Sequence, residues 1–519
     1  MKSSKPHLCL LLSLLSLASG CSAPSSDTDD IVIDKKTADE ALSCVVDTKK
    51  ELRKIDPRLY GSNIEWFNHG NGVVNDKGEI DRRFVSLAKD QGMSLLRFPG
   101  GTLSDYYHWK DGIGPVEKRP VRPHFTDPGK SPNVLGTPEF LAFCRGANLE
   151  PMITVNVGTG TASEAADWVR YCNSPADSLR VRDGIREPAN IRLWEIGNEL
   201  YLPGNPGDKK IALTPEKYAD RFIDFASAMR EADPSVQLIA IGTANSSRHP
   251  MPHPNWTETV LKRAAGEMDF LAVHNAYFPM IFQERGPRVK DVYESLWASP
   301  EAVDRSLSAL DALLAKYEKQ RRIGIAITEW GGLFSFEPEW VDHVKTLGTS
   351  VYAARMMQVF IKHPRVQIAN YFKFADRFFM GWVSYDAKPK VPYYVIQLFS
   401  RHYGSRAVAA EMKSPTFDVE ALGVAKAESA VPEVTCVASL NDEGDRLFVN
   451  FVNRSWTTTH RVQLDLRGAQ PADAEAIAWM IASEGPTDHN GPSLPPEWPR
   501  ARKEPRSSAS AGRWSSSSS

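Results

Sequence analysis

The sequence has almost no net charge and no hydrophobic run long enough to cross a membrane. Its 62 Lys and Arg residues are balanced by 64 Asp and Glu residues, which leaves no basic field to hold a nucleic acid and argues against such a partner. The apolar run Leu8–Ala18 is shorter than the roughly 20 residues that a transmembrane helix needs. With 42% hydrophobic residues in 519, the composition indicates a packed protein of two domains.

Cysteine is scarce, and none of the six cysteines forms a CxxC pair. A structural zinc site is therefore not expected, and we predict no metal. Cys144 and Cys172 fall in helical patterns, where buried free thiols are the ordinary outcome. A disulfide involving these or Cys44 and Cys436 is left open by the sequence.

The first thirty residues predict a lipoprotein of the bacterial cell envelope. Two lysines precede the apolar run, and Leu17–Cys21 resembles a lipobox in which the Leu lies one place farther from the Cys than usual. Residues 1–21 would then be a signal peptide, Cys21 the lipidated residue and residues 22–30 a tether. The chain would be secreted and held at the outer membrane or in the periplasm through its lipid. Cleavage by ordinary signal peptidase is the alternative.

From residue 59 onward, short apolar runs alternate with amphipathic helical patterns, which is typical of a parallel β/α fold. Eight such runs predict a (β/α)8 TIM barrel of the α/β class over residues 56–400. The runs are Leu59–Trp66, Ser94–Gly101, Glu150–Gly158, Ile191–Glu199, Ser235–Thr243, Met268–Tyr277, Gly324–Trp330 and Val366–Phe374.

An appended antiparallel β-sandwich is predicted after the barrel, over residues 401–483, where strand-like alternation is interrupted by a turn at Asn441–Gly444. Residues 31–55 are expected to add one or two strands to it. The stretch 484–519 is rich in Pro, Arg and Ser and carries no strand pattern, so it is expected to be disordered or atypical.

Two glutamates close buried runs: Glu199 ends the fourth and Glu329 ends the seventh. Burial of an unpaired carboxylate is costly, and the chemistry of a barrel lies at the carboxyl ends of its strands. Two carboxylates placed in this way predict a retaining glycosidase, in which one protonates the leaving oxygen and the other attacks the anomeric carbon. The alternative is a structural role, with each carboxylate paired to an arginine.

Several motifs extend this pattern, and with them the chain resembles the α-L-arabinofuranosidases of glycoside hydrolase family 51 over roughly residues 50–405. The motifs are Leu59-Tyr-Gly-Ser-Asn-Ile-Glu65, Leu96-Arg-Phe-Pro-Gly-Gly101, Tyr107-His-Trp-Lys-Asp-Gly-Ile-Gly-Pro115, Asn156-Val-Gly-Thr-Gly-Thr161, Trp194-Glu-Ile-Gly-Asn-Glu199 and Thr328-Glu-Trp330. The second and third are the most specific to the family, whereas the fifth marks a wider clan.

The resemblance implies that Glu199 is the general acid/base and Glu329 the nucleophile. It also implies that Asn198 hydrogen-bonds the sugar 2-hydroxyl, a contact that tightens in the transition state. Two carboxyls at the retaining separation do not both ionise easily, so we expect Glu199 to keep its proton near neutral pH while Glu329 stays charged.

Further substrate-binding residues follow from the same resemblance. Glu65 and Arg97 match positions that bind the sugar, and Tyr277 matches a tyrosine that orients the nucleophile. His274 ends the sixth run on the same rim, and Trp330 is either a stacking platform for the sugar or a wall of the pocket. No metal or organic cofactor is implied.

Three positions depart from the family pattern: Thr102 replaces an Asn, Gly331-Gly332 follows the nucleophile motif, and Lys373 stands where many members carry Gln. The main prediction is an exo-acting enzyme that removes arabinofuranosyl residues from arabinose-containing plant polysaccharides or oligosaccharides. The alternatives are a β-xylosidase or endoglucanase of the same clan, or a non-catalytic glycan-binding surface lipoprotein. An oligomer is compatible with the family, and no residue pattern decides it.

Overall fold

The structure of the protein is a computed structural model. It describes residues 36–124, 127–202, 211–244, 253–274, 287–319, 321–332, 341–376, 380–423, 425–468, 476–490 and 504–505. Cys21 and Tyr277, both named by the sequence analysis, lie outside these ranges. Within these ranges, no helix combines the length and the apolar character that crossing a membrane requires.

The strands of the described residues fall into one closed barrel, one five-stranded sheet and four two-stranded ribbons. In chain order they are β1 (Lys36–Lys54), β2 (Gly61–Asn63), β3 (Leu95–Phe98), β4 (Val121–His124), β5 (Asp127–Pro132), β6 (Glu150–Val155), β7 (Leu193–Ile196), β8 (Gln237–Ile241), β9 (Phe270–Ala272), β10 (Gly324–Trp330), β11 (Val366–Tyr371), β12 (Ala375–Asp376), β13 (Val383–Ser384), β14 (Arg406–Met412), β15 (Thr416–Val419), β16 (Glu428–Pro432), β17 (Val434–Leu440), β18 (Leu447–Asn453), β19 (Thr458–Arg467), β20 (Ile477–Ala478) and β21 (Glu504–Pro505).

Five of the ten α-helices of the described residues begin at a residue whose side chain accepts a hydrogen bond from the first turn. At the start of α6, for example, the Thr214 hydroxyl accepts a hydrogen bond from the Lys217 N–H and Pro215 occupies the first turn. The α-helices are α1 (Asn68–Gly72), α2 (Arg82–Gln91), α3 (Thr137–Ala147), α4 (Ala162–Asn173), α5 (Ser178–Arg182), α6 (Pro215–Ala232), α7 (Trp256–Ala264), α8 (Val289–Tyr317), α9 (Leu347–Lys362) and α10 (Val391–Arg401). Short 3-10 helices occupy Pro57–Tyr60, Thr102–Tyr106, Trp109–Gly112, Val116–Lys118, Ala265–Glu267 and Val341–Lys345.

Eight parallel strands close the barrel in the order β2, β3, β6, β7, β8, β9, β10 and β11, with β11 pairing back to β2. Each of the eight apolar runs of the sequence contains one of these strands. The predicted fold class, a (β/α)8 barrel with an appended sheet domain, is therefore confirmed. Seven of the runs are longer than the strands because they include flanking residues, and those after the strand lie at the mouth, whereas Gly324–Trp330 coincides with β10.

The interior of the barrel is apolar at its floor and polar at its mouth. The floor is one cluster of buried side chains: Leu95, Met152, Leu193, Ile239, Phe270, Ala272, Ala326 and Ile368. Alternate residues of a strand point to the same side, so the side chain two places further on also faces the interior, one layer higher. In six cases that residue is polar and buried: Arg97, Thr154, Glu195, His274, Thr328 and Asn370.

The appended sheet has the strand order β18-β17-β14-β1-β19, and β1 is the one member that precedes the barrel in the chain. Its pairs are antiparallel except that β1 and β19 run parallel, a departure from the purely antiparallel sheet that the sequence predicts. One face packs on the barrel, where the Thr435 hydroxyl donates to Gln358 of α9. On the opposite face, the free thiols of Cys44 and Cys436 lie with their sulfur atoms 3.5 Å apart.

Part of the stretch that the sequence analysis expected to be disordered or atypical packs against the barrel. The N–H groups of Leu347 and Gly348, in the first turn of α9, donate to the carbonyls of Asp488 and Pro486. The first N–H groups of a helix have no partner within the helix, so residues 484–490 satisfy donors that would otherwise be unpaired. Only backbone carbonyls of the segment make these two hydrogen bonds, so its side-chain composition gives no sign of them.

Candidate active site

Arg97 is the central cation of the barrel mouth. Its side chain is fully buried, and its Nε donates to Glu195 Oε2 at 2.6 Å. Nη1 donates to Glu329 Oε1 at 2.9 Å, and Nη2 donates to Asn198 Oδ1 at 2.7 Å. Burial opposes the guanidinium charge, but the pKa of Arg97 is still raised by Glu195 and Glu329. With a further hydrogen bond from Nη1 to Asn63 Oδ1 at 3.0 Å, Arg97 holds residues from β2, β7 and β10 in a single arrangement.

His274 connects the two catalytic candidates to the buried Glu195. Its Nδ1 lies 3.1 Å from Glu199 Oε1 and 3.9 Å from Glu329 Oε1. Thr328 donates its one hydroxyl proton to Glu195 Oε1 at 2.6 Å, so the Thr328 oxygen accepts from Nε2–H of His274. Although burial opposes it, the charges of Glu329, Glu195 and Glu199 raise the pKa of His274 to about 9. Near neutral pH the imidazole is therefore a cation that faces Glu199.

Glu199 and Glu329 approach closely across the mouth. One carboxylate oxygen from each, together with a ring nitrogen of His274, lies within a mutual distance of 4.8 Å. Glu199 follows a sharp turn at the end of β7, where Gly197 has a φ of 82° and Glu199 itself a φ of 44°. A non-glycine residue in this left-handed region is uncommon, and from this turn the Glu199 carboxylate reaches within 3.1 Å of His274.

The surroundings of Glu329 raise its pKa, whereas the sequence analysis expected this carboxyl group simply to stay charged near neutral pH. Burial raises the pKa of Glu329 to about 7, with the charge of Glu199 adding to the effect and those of His274 and Arg97 opposing it. Part of this burial comes from Gly101, which packs so closely on the carboxyl group that a methyl group there would lie 2.8 Å from Glu329 Oε1. The mouth therefore keeps a transferable proton near neutral pH.

Asp105 fixes the backbone from which Asn198 and Glu199 project. Its Oδ2 accepts from the Asn198 N–H at 2.8 Å, and its Oδ1 accepts from the N–H groups of Val157 and Gly158. Burial raises the pKa of Asp105 to about 7, although the three N–H donors oppose the shift. Asn198 Nδ2 is buried and has no hydrogen-bond partner among the described residues, so it is available to a ligand.

The remaining residues named from the sequence are divided between the mouth and the core. Glu65 is 1% exposed and pairs with Lys373 rather than with Arg97. Trp330 is fully buried, with its ring edge-on to Phe360 and Tyr371, which favours a packing role over a stacking platform. The structure therefore brings together Glu199, Glu329, Asn198, Arg97 and His274, with Glu65 beside them, and leaves Trp330 behind the wall.

Three residues of the mouth were missed by the sequence analysis: Glu195, Thr328 and Asp105. A signal for the first two exists, because each lies two places after a floor residue and so must face the barrel interior. Glu195 was overlooked beside Glu199 in the same motif. Asp105 had no such signal, since it lies in a 3-10 helix between β3 and α3.

Glu195→Gln is expected to lower the free energy of unfolding at pH 7. Burial opposes ionisation, but Arg97, His274 and Thr328 lower the pKa of Glu195 to about 2, which corresponds to about 3 kcal/mol. This stabilisation is complete above the ordinary glutamate pKa and is lost as the pH falls from about 4.5 towards 2. Urea unfolding of the two proteins at pH 7 and below pH 4.5 measures it.

The matched control is Glu231→Gln, because Glu231 is exposed on α6. Its stability is expected to stay within about 0.5 kcal/mol of the parent at every pH. A difference between the parent and Glu195→Gln that does not shrink with acid would contradict the assignment of the charge to Glu195.

Family models match most of the chain. One described as the α-L-arabinofuranosidase 1 domain matches residues 87–276, and one described as the α-L-arabinofuranosidase C-terminal domain matches residues 328–510. The first contains Arg97, Glu195, Glu199 and His274, and the second begins at Thr328, next to Glu329.

Curated relatives carry the same description. The intracellular exo-α-(1→5)-L-arabinofuranosidase of Acetivibrio thermocellus is 33% identical over 301 residues, which cover 55% of this chain and 57% of the relative. The protein of the same name from Halalkalibacterium halodurans is 26% identical over 456 residues, covering 82% and 87% of the two chains. Among solved structures, a family 51 α-L-arabinofuranosidase from Bifidobacterium longum superposes with a TM-score of 0.76 at 24% identity, covering 88% and 93%.

The expectation of a secreted, lipid-anchored envelope protein is contradicted by these comparisons. Relatives from Acetivibrio thermocellus, Halalkalibacterium halodurans, Bifidobacterium longum and Streptomyces lividans are all named as intracellular. The expectation rested on a short apolar run followed by Cys21, a pattern of low specificity. Residues 1–30 lie outside the described part of the chain.

Proposed function

The chain belongs to glycoside hydrolase family 51, the α-L-arabinofuranosidase family, and we propose that it removes terminal α-L-arabinofuranosyl residues from arabinose-containing glycans with retention of configuration. The identification made from the sequence motifs is confirmed at the level of the family. The comparisons do not favour the alternatives of a β-xylosidase, an endoglucanase or a non-catalytic glycan-binding protein.

The observation that carries the proposal is the approach of Glu199 and Glu329 from opposite sides of the mouth. Oxygens of the two carboxylates lie within 4.8 Å, which matches a retaining enzyme, whereas an inverting enzyme separates its carboxyl groups by about 6.5–9.5 Å to admit a water molecule. A pure glycan-binding site has no need of two carboxylates at this distance.

In the first step, an oxygen of Glu329 attacks the anomeric carbon while the bond to the leaving oxygen breaks. In the reactive form Glu329 is ionised and the proton of the pair lies on Glu199, which gives it to that oxygen as a glycosyl ester of Glu329 forms. Arg97 donates to Glu329 Oε1 and so orients the attacking carboxylate. The fixed positive charges of Arg97 and His274 need no reorganisation during this step.

In the second step, Glu199 removes a proton from water as the water oxygen attacks the same carbon, and Glu329 leaves as a carboxylate. His274, which lies 3.1 Å from Glu199, stabilises the charge that Glu199 carries between the two steps. Asn198, held by Arg97 and Asp105, presents its unpaired amide to the sugar. Retention of configuration follows from the two successive inversions.

The activity is tested by following nitrophenol release from the nitrophenyl α-L-arabinofuranoside and the nitrophenyl β-D-xylopyranoside, and the release of reducing sugar from a cellulosic substrate. Turnover of the arabinofuranoside, with single arabinose units released from a linear arabino-oligosaccharide, is the expected result. Turnover restricted to the xyloside or the cellulosic substrate would refute the proposed sugar while leaving the two carboxylates in their roles.

Glu199→Ala is expected to lower kcat by about 10²–10⁴-fold on a substrate whose leaving group needs protonation, and less on one with an acidic phenol. The reason is that an acidic phenol departs without a general acid. Steady-state rates with aryl arabinofuranosides of graded phenol acidity measure the difference. An equal loss across the series would argue against Glu199 as the acid.

A further inference from the structure

Lys373 is a buried cation that hydrolysis, as described above, does not use. It follows β11 and is 4% exposed. Its Nζ donates to Glu65 Oε2 and lies 3.4 Å from Asp376 Oδ1. It also lies 5.6 Å from the ring centroids of Phe67 and of Phe372. An ammonium group enclosed by two aromatic rings and two carboxylates has given up its hydration for these contacts.

The ion pair of Lys373 and Glu65 lies beside the nucleophile. A methyl group at Gly100 would approach the Glu65 side chain to 2.8 Å, and one at Gly101 would approach Glu329 Oε1 to 2.8 Å. Phe372 also contacts this loop, at 3.4 Å from the same point on Gly101. Two adjacent glycines thus separate Glu65 from Glu329 by little more than the thickness of the backbone.

Glu65 depends on Lys373 for its charge. Burial raises the pKa of Glu65, and Lys373 is the principal group that opposes the rise. Asp376 adds negative charge from β12, and the nearby amide of Asn71 on α1 also opposes the rise. His69, the titratable group of α1, is paired with Asp76 at 2.9 Å. Of these neighbours, Lys373 alone brings positive charge into contact with Glu65.

Arg97 and Glu329 complete the charged surroundings on the barrel side. Arg97 is committed to Glu195, Glu329 and Asn198, so it supplies no direct hydrogen bond to Glu65. Loss of Lys373 would leave Glu65 and Asp376 together in a buried site. In that situation a carboxyl group takes up a proton rather than remain charged.

We propose that Lys373 is a positioning residue that keeps Glu65 ionised, so that Glu65 accepts hydrogen bonds from the sugar hydroxyl groups. This inference rests on the proposed function. An ionised carboxylate only accepts hydrogen bonds, and its bonds to hydroxyl groups are roughly twice as strong as those between neutral groups. A protonated Glu65 would present a donor where the sugar also presents donors.

The test is the pH dependence of KM for the aryl α-L-arabinofuranoside in Lys373→Met. We expect KM to rise about tenfold near pH 5 and to return towards the parent value as the pH approaches 8, because the released Glu65 ionises in that range. kcat is expected to change less than KM. Lys388→Met is the control, because it removes an exposed lysine that pairs with Asp386. The ratio of its KM to the KM of the parent should not change with pH.

Glu65→Gln/Lys373→Met identifies the titrating group. Its KM is expected to be raised and to show no dependence on pH beyond that of Lys388→Met. A trend that persists in the double variant would assign the titration to Asp376 and overturn the proposal. The proposal would also be overturned if the KM of Lys373→Met had the same pH dependence as the KM of Lys388→Met.

Unfolding provides a readout that does not depend on the sugar. With Lys373 removed, the folded protein holds a proton that the unfolded chain releases, so the stability of Lys373→Met is expected to fall as the pH rises from 5 to 8. The decline should be smaller in the double variant. If this pattern appears and the arabinofuranoside is not hydrolysed, the proposed function fails and the charge compensation stands. Lys373→Gln, which keeps a donor without a charge, is the second variant should Lys373→Met not fold.

Discussion

Replacement of Glu329 by glutamine is expected to lower kcat/KM for an aryl α-L-arabinofuranoside by at least about four orders of magnitude. The amide cannot attack the anomeric carbon, although its oxygen can still accept the hydrogen bond that Arg97 gives to Oε1. Initial rates at saturating and limiting substrate measure the loss. Because the shape of the side chain is retained, the substrate should still bind with a KM near that of the parent.

The smaller variant Glu329→Ala provides the control, because it leaves a space at the position of the nucleophile. Added azide is expected to restore turnover and to yield a glycosyl azide of inverted configuration, since a single displacement replaces two. Unfolding by urea should show that both variants fold. Activity of Glu329→Gln within tenfold of the parent would remove Glu329 from its assigned role.

Arg97→Met is expected to destabilise the protein by about 3–5 kcal/mol and to abolish activity. The guanidinium is fully buried, and its loss leaves the carboxylates of Glu195 and Glu329 without their shared partner. Methionine fills a similar volume, so a cavity does not explain the effect. The free energy of unfolding from urea titration at pH 7 measures the stability.

Arg83→Met is the matched control for this change. Arg83 pairs with Asp81 at 2.6 Å, but its side chain is 65% exposed. Exposed ion pairs contribute about 0–1 kcal/mol, so little change is expected. Equal effects of the two substitutions would mean that the charges at the barrel mouth are not the reason for the loss of stability.

The barrel could be predicted from the sequence because a parallel strand is covered on both faces and so appears as a short, almost continuous apolar run. Gly324–Trp330 shows this directly, since all seven of its residues are buried. The pairing of β1 with β19 could not be predicted in this way. Which strands become neighbours depends on the whole topology. The alternation of apolar and polar residues within β1 would be the same whichever strand it paired with and in whichever direction.

The two glutamates could be predicted because each one lies at or just beyond the carboxyl end of a strand and belongs to a motif. Their environment could not. The pKa of Glu329 depends on the packing of Gly101, which is distant in sequence. Lys373 was noticed as a departure from the family pattern, but its partner Glu65 is 308 residues away, and no local pattern links them. Trp330 follows the nucleophile directly in the sequence, but successive residues of a strand point to opposite faces, so its side chain faces away from the barrel interior.

The position of β1 between β14 and β19 in the appended sheet has a consequence for protein synthesis. Its Cys44 pairs with Met412 of β14, the first of its neighbours to be made, and the 368 residues between them take roughly 20–70 s to translate at about 5–20 residues per second. Throughout that time β1 leaves the ribosome with no sheet to join, so its open edges must not pair with other chains. The strand carries charged residues toward both ends, including Lys49, Lys50 and Glu51, a composition that discourages such pairing. The barrel can therefore fold during synthesis, whereas the sheet beside it is completed only after β19 has been made.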